Sequence, residues 1–464
     1  MAKNESSDIV WDIVVIGGGP AGMMATGRAA ERARELNAGK SDAENIPINN
    51  KDSIKILLLE KNSDFGKKLL ITGGGRCNVT NAELDDRALL SKFKDAGKFL
   101  FSAFSQYSVK ETLEFFHSRG MQTKVEAGKR VFPVSDSAKS VRDVLVKYLK
   151  GDGTNSVTVH SNIEVAGFVQ TKPGIIDAVK IKGKGKEKGD EMIRGKAFIL
   201  ATGGTSHPET GSTGDGFKWL AKIGHTIIEP SAALVPIKVS DAWVKKLSGI
   251  SLPNAKLTLF LDGVKQGVGK KSVRKGKILF THFGLSGPAI LNMSSDIGEL
   301  LKYGEVVLSL DLLPDHDYST LNEALQKLFT EQSNKKLKNA IVARKGEHGL
   351  IPSAFVPVIL ERSGIDGDTQ CNSVTRLQRL TLVKLLKDIH IHPTDLLGAD
   401  KAIVTSGGVK LEEVDFRTMR SRLISNLYLV GDVLDIDRPS GGYSLQLCWT
   451  TGWVAGNAAV AEKK

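Results

Sequence analysis

The spacing of apolar residues changes period several times along the chain, and the changes mark its organisation. Ile13–Ile16 is a short apolar run that enters Gly17-Gly18-Gly19-Pro20-Ala21-Gly22. Residues 20–36 follow with small and apolar side chains, Ala21, Ala25 and Ala29 among them, and predict a helix. A second apolar strand, Ile54–Leu59, ends in Glu60. Between these, residues 37–53 are polar and turn-rich and read as a surface insertion. Phe99, Leu100, Phe104, Leu113 and Phe116 recur at helix spacing and predict a helix over 99–119, and a further helix is expected over Ala138–Leu149. Val157–His160 and Ile163–Val169 read as strands, and Phe198–Leu200 as a buried strand running into Ala201-Thr202-Gly203-Gly204.

From about His225 the pattern turns to strands, at Leu257–Leu261, Lys277–Thr281 and Val306–Leu310. Amphipathic helical runs then follow at Leu321–Phe329 and Leu377–Ile389. The chain returns through Ile403–Val409, and a last strand, Asn426–Val430, ends in Gly431-Asp432 before a small-residue helix that reaches about Ala459. These changes divide the chain into 1–224, a β-rich insertion at 225–315, a helical piece at 316–395, return strands at 396–422, and 423–464, which rejoins the first domain.

The glycine run carries the most specific chemistry. Gly17 permits the tight turn out of the strand, Gly19 has no side chain to keep a pyrophosphate away, and Gly22 lets the helix pack close. Pro20 suits the first helical turn, whose free N–H groups and positive dipole end favour phosphate. Glu60 stands where an acid accepts hydrogen bonds from an adenosine ribose, though further from Gly22 than the usual gap of roughly 20 residues; the 37–53 insertion accounts for the excess. Asp432 stands where two-dinucleotide-binding-domain flavoproteins place an aspartate on the ribityl chain of FAD. The helix opening at Gly442-Tyr443-Ser444-Leu445 offers N–H groups to a reduced flavin ring. An α/β, Rossmann-type FAD-binding domain shared between the two ends of the chain is therefore expected.

Gly17–Gly22, Glu60-Lys61, the run Gly66-Lys67-Lys68 to Gly73-Gly74-Gly75-Arg76-Cys77-Asn78-Val79-Thr80-Asn81, Ala201-Thr202-Gly203-Gly204, Gly211–Gly216 and Gly431-Asp432 with Gly441-Gly442-Tyr443 together resemble the YhiN/BaiN-like flavoprotein family, which includes aminoacetone oxidase-like and 3-dehydro-bile-acid reductase-like proteins. The resemblance covers nearly the whole chain, and the Gly-Gly-Gly-Arg-Cys-Asn run is its most specific part. It implies FAD, an inserted β-barrel-like domain and a small helical domain. It also implies that the 73–78 loop lies along the flavin. Arg76 would then pair with the pyrophosphate or an anionic flavin, and Asn78 with the ring edge. Lys68 is a candidate for a contact near flavin N5 or, equally, a solvated surface lysine. The backbone near Val165 would meet the adenine.

Cys77 is a candidate nucleophile, but a small packing residue beside the ring is the better expectation. His207 and His282 are candidate general acids, each more readily explained as a structural histidine. Tyr443 can face substrate or pack. Only one glycine fingerprint occurs, so NAD(P)H, as a transient co-substrate, would share the substrate cleft.

Composition narrows the function. A content of 41% hydrophobic and 25% charged residues over 464 residues suits a soluble globular protein of two or three domains. No run is long and apolar enough to span a membrane, and the polar first residues carry no apolar signal core, so a cytoplasmic address is expected. Three scattered cysteines exclude a disulfide framework and a C-x-x-C relay, and no His/Cys cluster has metal spacing. The net charge of +12 admits a nucleic-acid partner, but the lysines are dispersed, with their densest runs in Gly-rich segments at 180–188 and 265–277. The reading is an FAD-dependent oxidoreductase of a small or steroid-like molecule, monomeric or homodimeric, with NAD(P)H as donor and without nucleic acid. The alternatives are an amine or small-molecule oxidase, a fumarate-reductase-like flavoprotein, a tRNA-modifying flavoprotein and a flavin-binding protein without turnover.

Overall fold

The computed structural model describes residues 9–44, 54–151, 157–183, 191–266, 272–343, 350–398 and 404–461. Part of the insertion (45–53), the first eight residues, and parts of both lysine-rich segments (184–188 and 267–271) lie outside the described residues, as does Ile403 of the return strand. The chain divides into two compact units, Met1–Ala232 with Ile403–Lys464, and Ala233–Ala402.

The first unit is built on a parallel sheet with strand order 427–429, 191–200, 10–16, 56–60, 157–161. Val10–Ile16 lies at its centre because its apolar inner end is flanked on both sides. Ile16 pairs with Leu59 on one neighbour and Leu200 on the other, and all three side chains are buried. Such two-sided burial favours the continuous apolar runs seen in the sequence over alternation. An antiparallel meander, Val165–Val169, Ala178–Ile181 and Glu191–Leu200, extends this sheet.

Two helices pack face to face beside the sheet, Pro20–Glu44 and Tyr443–Ala461. Their approach is close because small residues meet there. A Cβ on Gly452 would stand 2.5 Å from the Ala21 carbonyl oxygen, and one on Gly456 2.3 Å from that of Ala25. The first helix runs to Glu44, so the segment expected to begin a loop at residue 37 is helical for two more turns. The single helix expected over 99–119 is two, Gly97–Phe104 and Val109–Ser118. The break falls at Ser108, whose backbone N–H donates to Glu111 Oε2 at 2.9 Å; this local cap competes with continuation of the helix.

The second unit holds an eight-stranded antiparallel sheet of order 389–391, 306–311, 251–261, 273–280, 284–286, 237–239, 393–396, with 264–265 paired on 251–261. Its first and last strands are separated in the chain by His392 alone, so the sheet curls until its edges are neighbours, in the manner of a barrel. The helices Tyr318–Glu331 and Arg376–Lys387 add Leu321, Leu325, Leu382 and Leu386 to the same core as Leu257 and Leu308 of the strands. The helical run therefore shares one core with the strands on either side of it, where the sequence suggested a separate piece at 316–395. Residues 225–232 and 403–422 belong to the first unit, while 396–402 of the expected return segment belong to the second. No helix among the described residues is long and apolar enough to cross a membrane.

Candidate functional site

The first unit contains a cavity of about 400 Å³ at the carboxyl ends of its central strands. This is where open α/β sheets bind ligands, because the helix N-termini converge there. Gly17 leaves the first strand with φ at +108°, and a Cβ there would stand 2.5 Å from the Ala201 carbonyl oxygen. Gly22 has stepped back from the wall, and a Cβ on it would stand 1.9 Å from the Gly17 carbonyl oxygen. Nothing lies within 4 Å of the Cβ position of Gly19, so this glycine opens onto free space as a phosphate-binding turn requires. The first turn of the Pro20–Glu44 helix therefore presents its N–H groups to the cavity.

Glu60 is buried at the end of the second strand. Its Oε2 accepts from the Gly18 N–H at 2.7 Å, and its Oε1 from the Asn62 N–H and Nδ2, both at 2.7 Å. A carboxylate has about four lone-pair sites, so these three bonds leave it capacity for a ribose hydroxyl. Asn62 Nδ2 also reaches the Thr210 carbonyl oxygen at 3.0 Å, and Lys61 Nζ donates to Thr213 Oγ1 at 2.8 Å. Together they bring the 210–215 loop to the same wall. Thr202 Oγ1 is buried on that wall and has no hydrogen-bond partner among the described residues, as expected of a hydroxyl that a ligand would satisfy.

Farther along the wall stand Lys68, Gly431, Asp432, Ser444 and Leu445. Lys68 Nζ donates to Ser206 Oγ at 3.1 Å. Burial pushes its pKa below the ordinary lysine value, with the facing Asp432 opposing that shift. Asp432 receives a hydrogen bond from Arg438 Nη2. His207, in a left-handed backbone conformation at φ +52°, shares a hydrogen bond of 2.8 Å between its Nδ1 and Glu209 Oε1 on the same wall. His282 is in the second unit, its ring edge-on to Phe283.

His207 lines this cavity, as do fifteen of the cofactor-binding candidates read from the sequence: Gly17, Gly19, Pro20, Ala21, Glu60, Lys61, Lys68, Val165, Ala201, Thr202, Gly203, Gly431, Asp432, Ser444 and Leu445. Gly22, Gly75, Arg76, Cys77, Asn78, Gly204, Gly442 and Tyr443 are not on its wall. Arg76, expected on the pyrophosphate or an anionic flavin, is engaged elsewhere. Its guanidinium binds Glu126 at 2.8 Å and Asp136 at 3.1 Å and stacks over Phe132 at 4.0 Å, so its charge is already matched. Cys77 is fully buried, and burial pushes its thiol up to about 12, which removes the basis for a nucleophilic role. Gly204 packs on Thr405, Gly442 on the Thr80 backbone, and Tyr443 edge-on to Phe93. Asn78 keeps a buried Oδ1 without a partner among the described residues.

Sequence reasoning missed Asn62, Ile163, Glu164 and Trp219 as wall residues, and did not carry Ser212, Thr213 and Asp215 to the site although their Gly-rich motif was visible. Among the described residues no group of His, Cys, Asp and Glu has metal-holding geometry. The cradle fits an extended dinucleotide. It has a phosphate turn at Gly17–Gly22, an acid for one ribose at Glu60, and a second polar end at Asp432 and Ser444.

The family model described as HI0933-like protein Rossmann domain matches residues 11–458. A 3-dehydro-bile acid delta(4,6)-reductase of Clostridium scindens is 30% identical over 96% of this chain and 98% of its own length. A ribosomal RNA dihydrouridine synthase of Escherichia coli is 27% identical over 98% of this chain and 99% of its own. Among solved structures, the 3-ketosteroid delta1-dehydrogenase of Sterolibacterium denitrificans superposes with a TM-score of 0.51 over 98% of this chain and all of that one; at 12% identity this shows a common fold.

Proposed function

Because the chain belongs to the HI0933-like Rossmann family, a family of flavoprotein oxidoreductases, we propose that it is an FAD-dependent, NAD(P)H-consuming reductase of a carbon–carbon double bond conjugated to a carbonyl group. The observation that carries the cofactor assignment is the Gly18–Glu60 bond, which sets an acid beside a phosphate turn, with Asp432 at the other end of the same cavity. When bound, FAD would supply the hydride-transfer chemistry between donor and substrate. The chain's own part is to bind and orient. The helix N-terminus at Pro20 would hold the diphosphate, Glu60 a ribose, and Asp432 the ribityl chain. One glycine fingerprint serves one dinucleotide, so donor and substrate visit the remaining cleft in turn.

The substrate class follows from what the two kinds of relative have in common. A bile acid with a ketone at C3 and double bonds at C4 and C6 is an extended enone. The uracil ring carries its C5=C6 bond in conjugation with the C4 carbonyl. A small or steroid-like enone is the first reading, and it rests on the more similar of the two relatives, at 30% identity. A uracil of structured RNA is the second, favoured by the dihydrouridine synthase relatives and by the net charge of +12, which suits a polyanion.

The test is anaerobic reduction of the yellow protein by NADH or NADPH, followed by a 3-oxo-4-ene steroid or by ribosomal RNA. The substrate class is the one that restores the visible absorbance and gains two hydrogens by mass spectrometry. A protein that neither nucleotide bleaches is no NAD(P)H-dependent reductase, and an oxidase then takes its place.

A further inference from the structure

Arg438 stands between the turn that follows the last strand and the start of the C-terminal helix, with its side chain fully buried. It makes three bonds in three directions. Nη2 donates to Asp432 Oδ1, Nη1 to the Ile436 carbonyl oxygen at 2.6 Å, and Nε to Ser444 Oγ at 3.0 Å. Asp432 and Ser444 line the cavity, while Arg438 stands behind them. One guanidinium thus fixes two polar groups of the wall that come from different elements, the turn at Gly431–Val433 and the helix beginning at Tyr443.

Charge makes this arrangement more than a brace. FAD brings a diphosphate with two negative charges, and its reduction adds further negative charge. A bare carboxylate on the wall would oppose both, whereas a carboxylate paired with a buried cation is neutral as a unit. Lys68 also interacts electrostatically with Asp432, but its hydrogen bond goes to Ser206. Arg438 is therefore the group that directly matches Asp432. Its fixed planar fork also holds one geometry in a way a flexible ammonium does not.

We propose that Arg438 is a positioning residue for the cofactor, which orients Asp432 and Ser444 and cancels the charge of Asp432, so that bound FAD is easier to reduce than it would be beside an unpaired carboxylate. The inference rests on FAD occupying this cavity, as proposed above.

The experiment is a spectroelectrochemical titration of the FAD-loaded, full-length protein and its R438Q, D432N and R438Q/D432N variants, with FAD affinity and thermal unfolding measured alongside. R438Q is expected to weaken FAD binding about tenfold or more and to move the midpoint potential to more negative values. The double variant restores the potential towards that of the parent, because no unpaired charge remains; a merely structural role would not produce that recovery. D432N alone leaves the guanidinium uncompensated and moves the potential the other way, and this decides the matter if R438Q does not fold. R438Q with the potential of the parent, or D432N without a rise, overturns the inference. A parent protein that takes up no FAD overturns the reading of the cavity itself.

Discussion

Glu60 Oε2 accepts the backbone N–H of Gly18 at 2.7 Å, which ties the end of the second strand to the glycine turn that ends the first. The acid thus shapes the phosphate turn as well as offering an oxygen to a ribose. E60Q keeps the size of the side chain but gives up its charge and one acceptor oxygen, and is expected to weaken FAD binding about tenfold. Fluorescence titration of the apoprotein with FAD measures this. An E60Q protein with the parent affinity would remove Glu60 from the site.

Two glycines of the same motif should fail in different ways. A methyl group on Gly22 meets the Gly17 carbonyl oxygen at 1.9 Å, so G22A must push helix from strand. A loss of about 1–3 kcal/mol in stability is expected, together with poor FAD retention. A methyl group on Gly19 meets nothing within 4 Å, so G19A should melt with the parent protein yet bind FAD more weakly, because its Cβ enters the space a phosphate would use. Thermal melts with and without added FAD separate the two effects.

The cysteines are expected to be silent. Burial pushes the thiols of Cys77 and Cys448 up to about 12, and Cys371 is buried too. A thiol reagent at mildly alkaline pH should label none of them in the folded protein and all three after denaturation. C77S should keep the visible spectrum and the turnover of the parent. Rapid native labelling of Cys77 would contradict its burial.

A buried histidine gives the stability a pH dependence. His225 shares hydrogen bonds of 2.9 Å with Glu413 Oε2 and Ser421 Oγ, and its side chain is wholly enclosed. Burial lowers its pKa below the ordinary 6.5, against the opposing pull of Glu413. The unfolded chain therefore binds the proton more readily than the folded one. This contribution is complete above 6.5 and is lost as the pH falls from there through the folded value. Denaturant midpoints should fall between about pH 7 and about pH 5, with a shallower slope in H225Q. An equal slope in H225Q would place the dependence elsewhere.

What could be read from the sequence was what neighbouring residues encode together. The Gly17–Gly22 turn, Glu60 at a strand end and Gly431-Asp432 are local patterns whose conformation fixes their exposure, and all but Gly22 of these named positions lie on the cavity wall. The partners of Arg76, Glu126 and Asp136, come from a small sheet and a turn that the sequence does not align with it. Asn62 and Thr213 are hidden in the sequence for a related reason. Their role depends on the 210–215 loop meeting the tip of the second strand, a contact made by topology. The helix boundary at Ser108 was legible in principle, since Ser-x-x-Glu is a capping box, but the apolar period across 99–119 hid it.

The chain enters the first unit, leaves it for Ala233–Ala402, and returns to add the Leu427–Leu429 strand and the Tyr443–Ala461 helix. On a translating ribosome this order has a kinetic consequence. The inserted unit is contiguous and can reach its native contacts as soon as it emerges. The parallel sheet waits for its neighbour strand, and the helix from Pro20 waits for its partner, until almost the whole chain has been made. During that interval the apolar flank of the Glu191–Leu200 strand and the small-residue face of the first helix are uncovered. Nascent chains stalled before residue 427 should therefore be protease-sensitive in the first unit, unable to retain FAD, and dependent on chaperones.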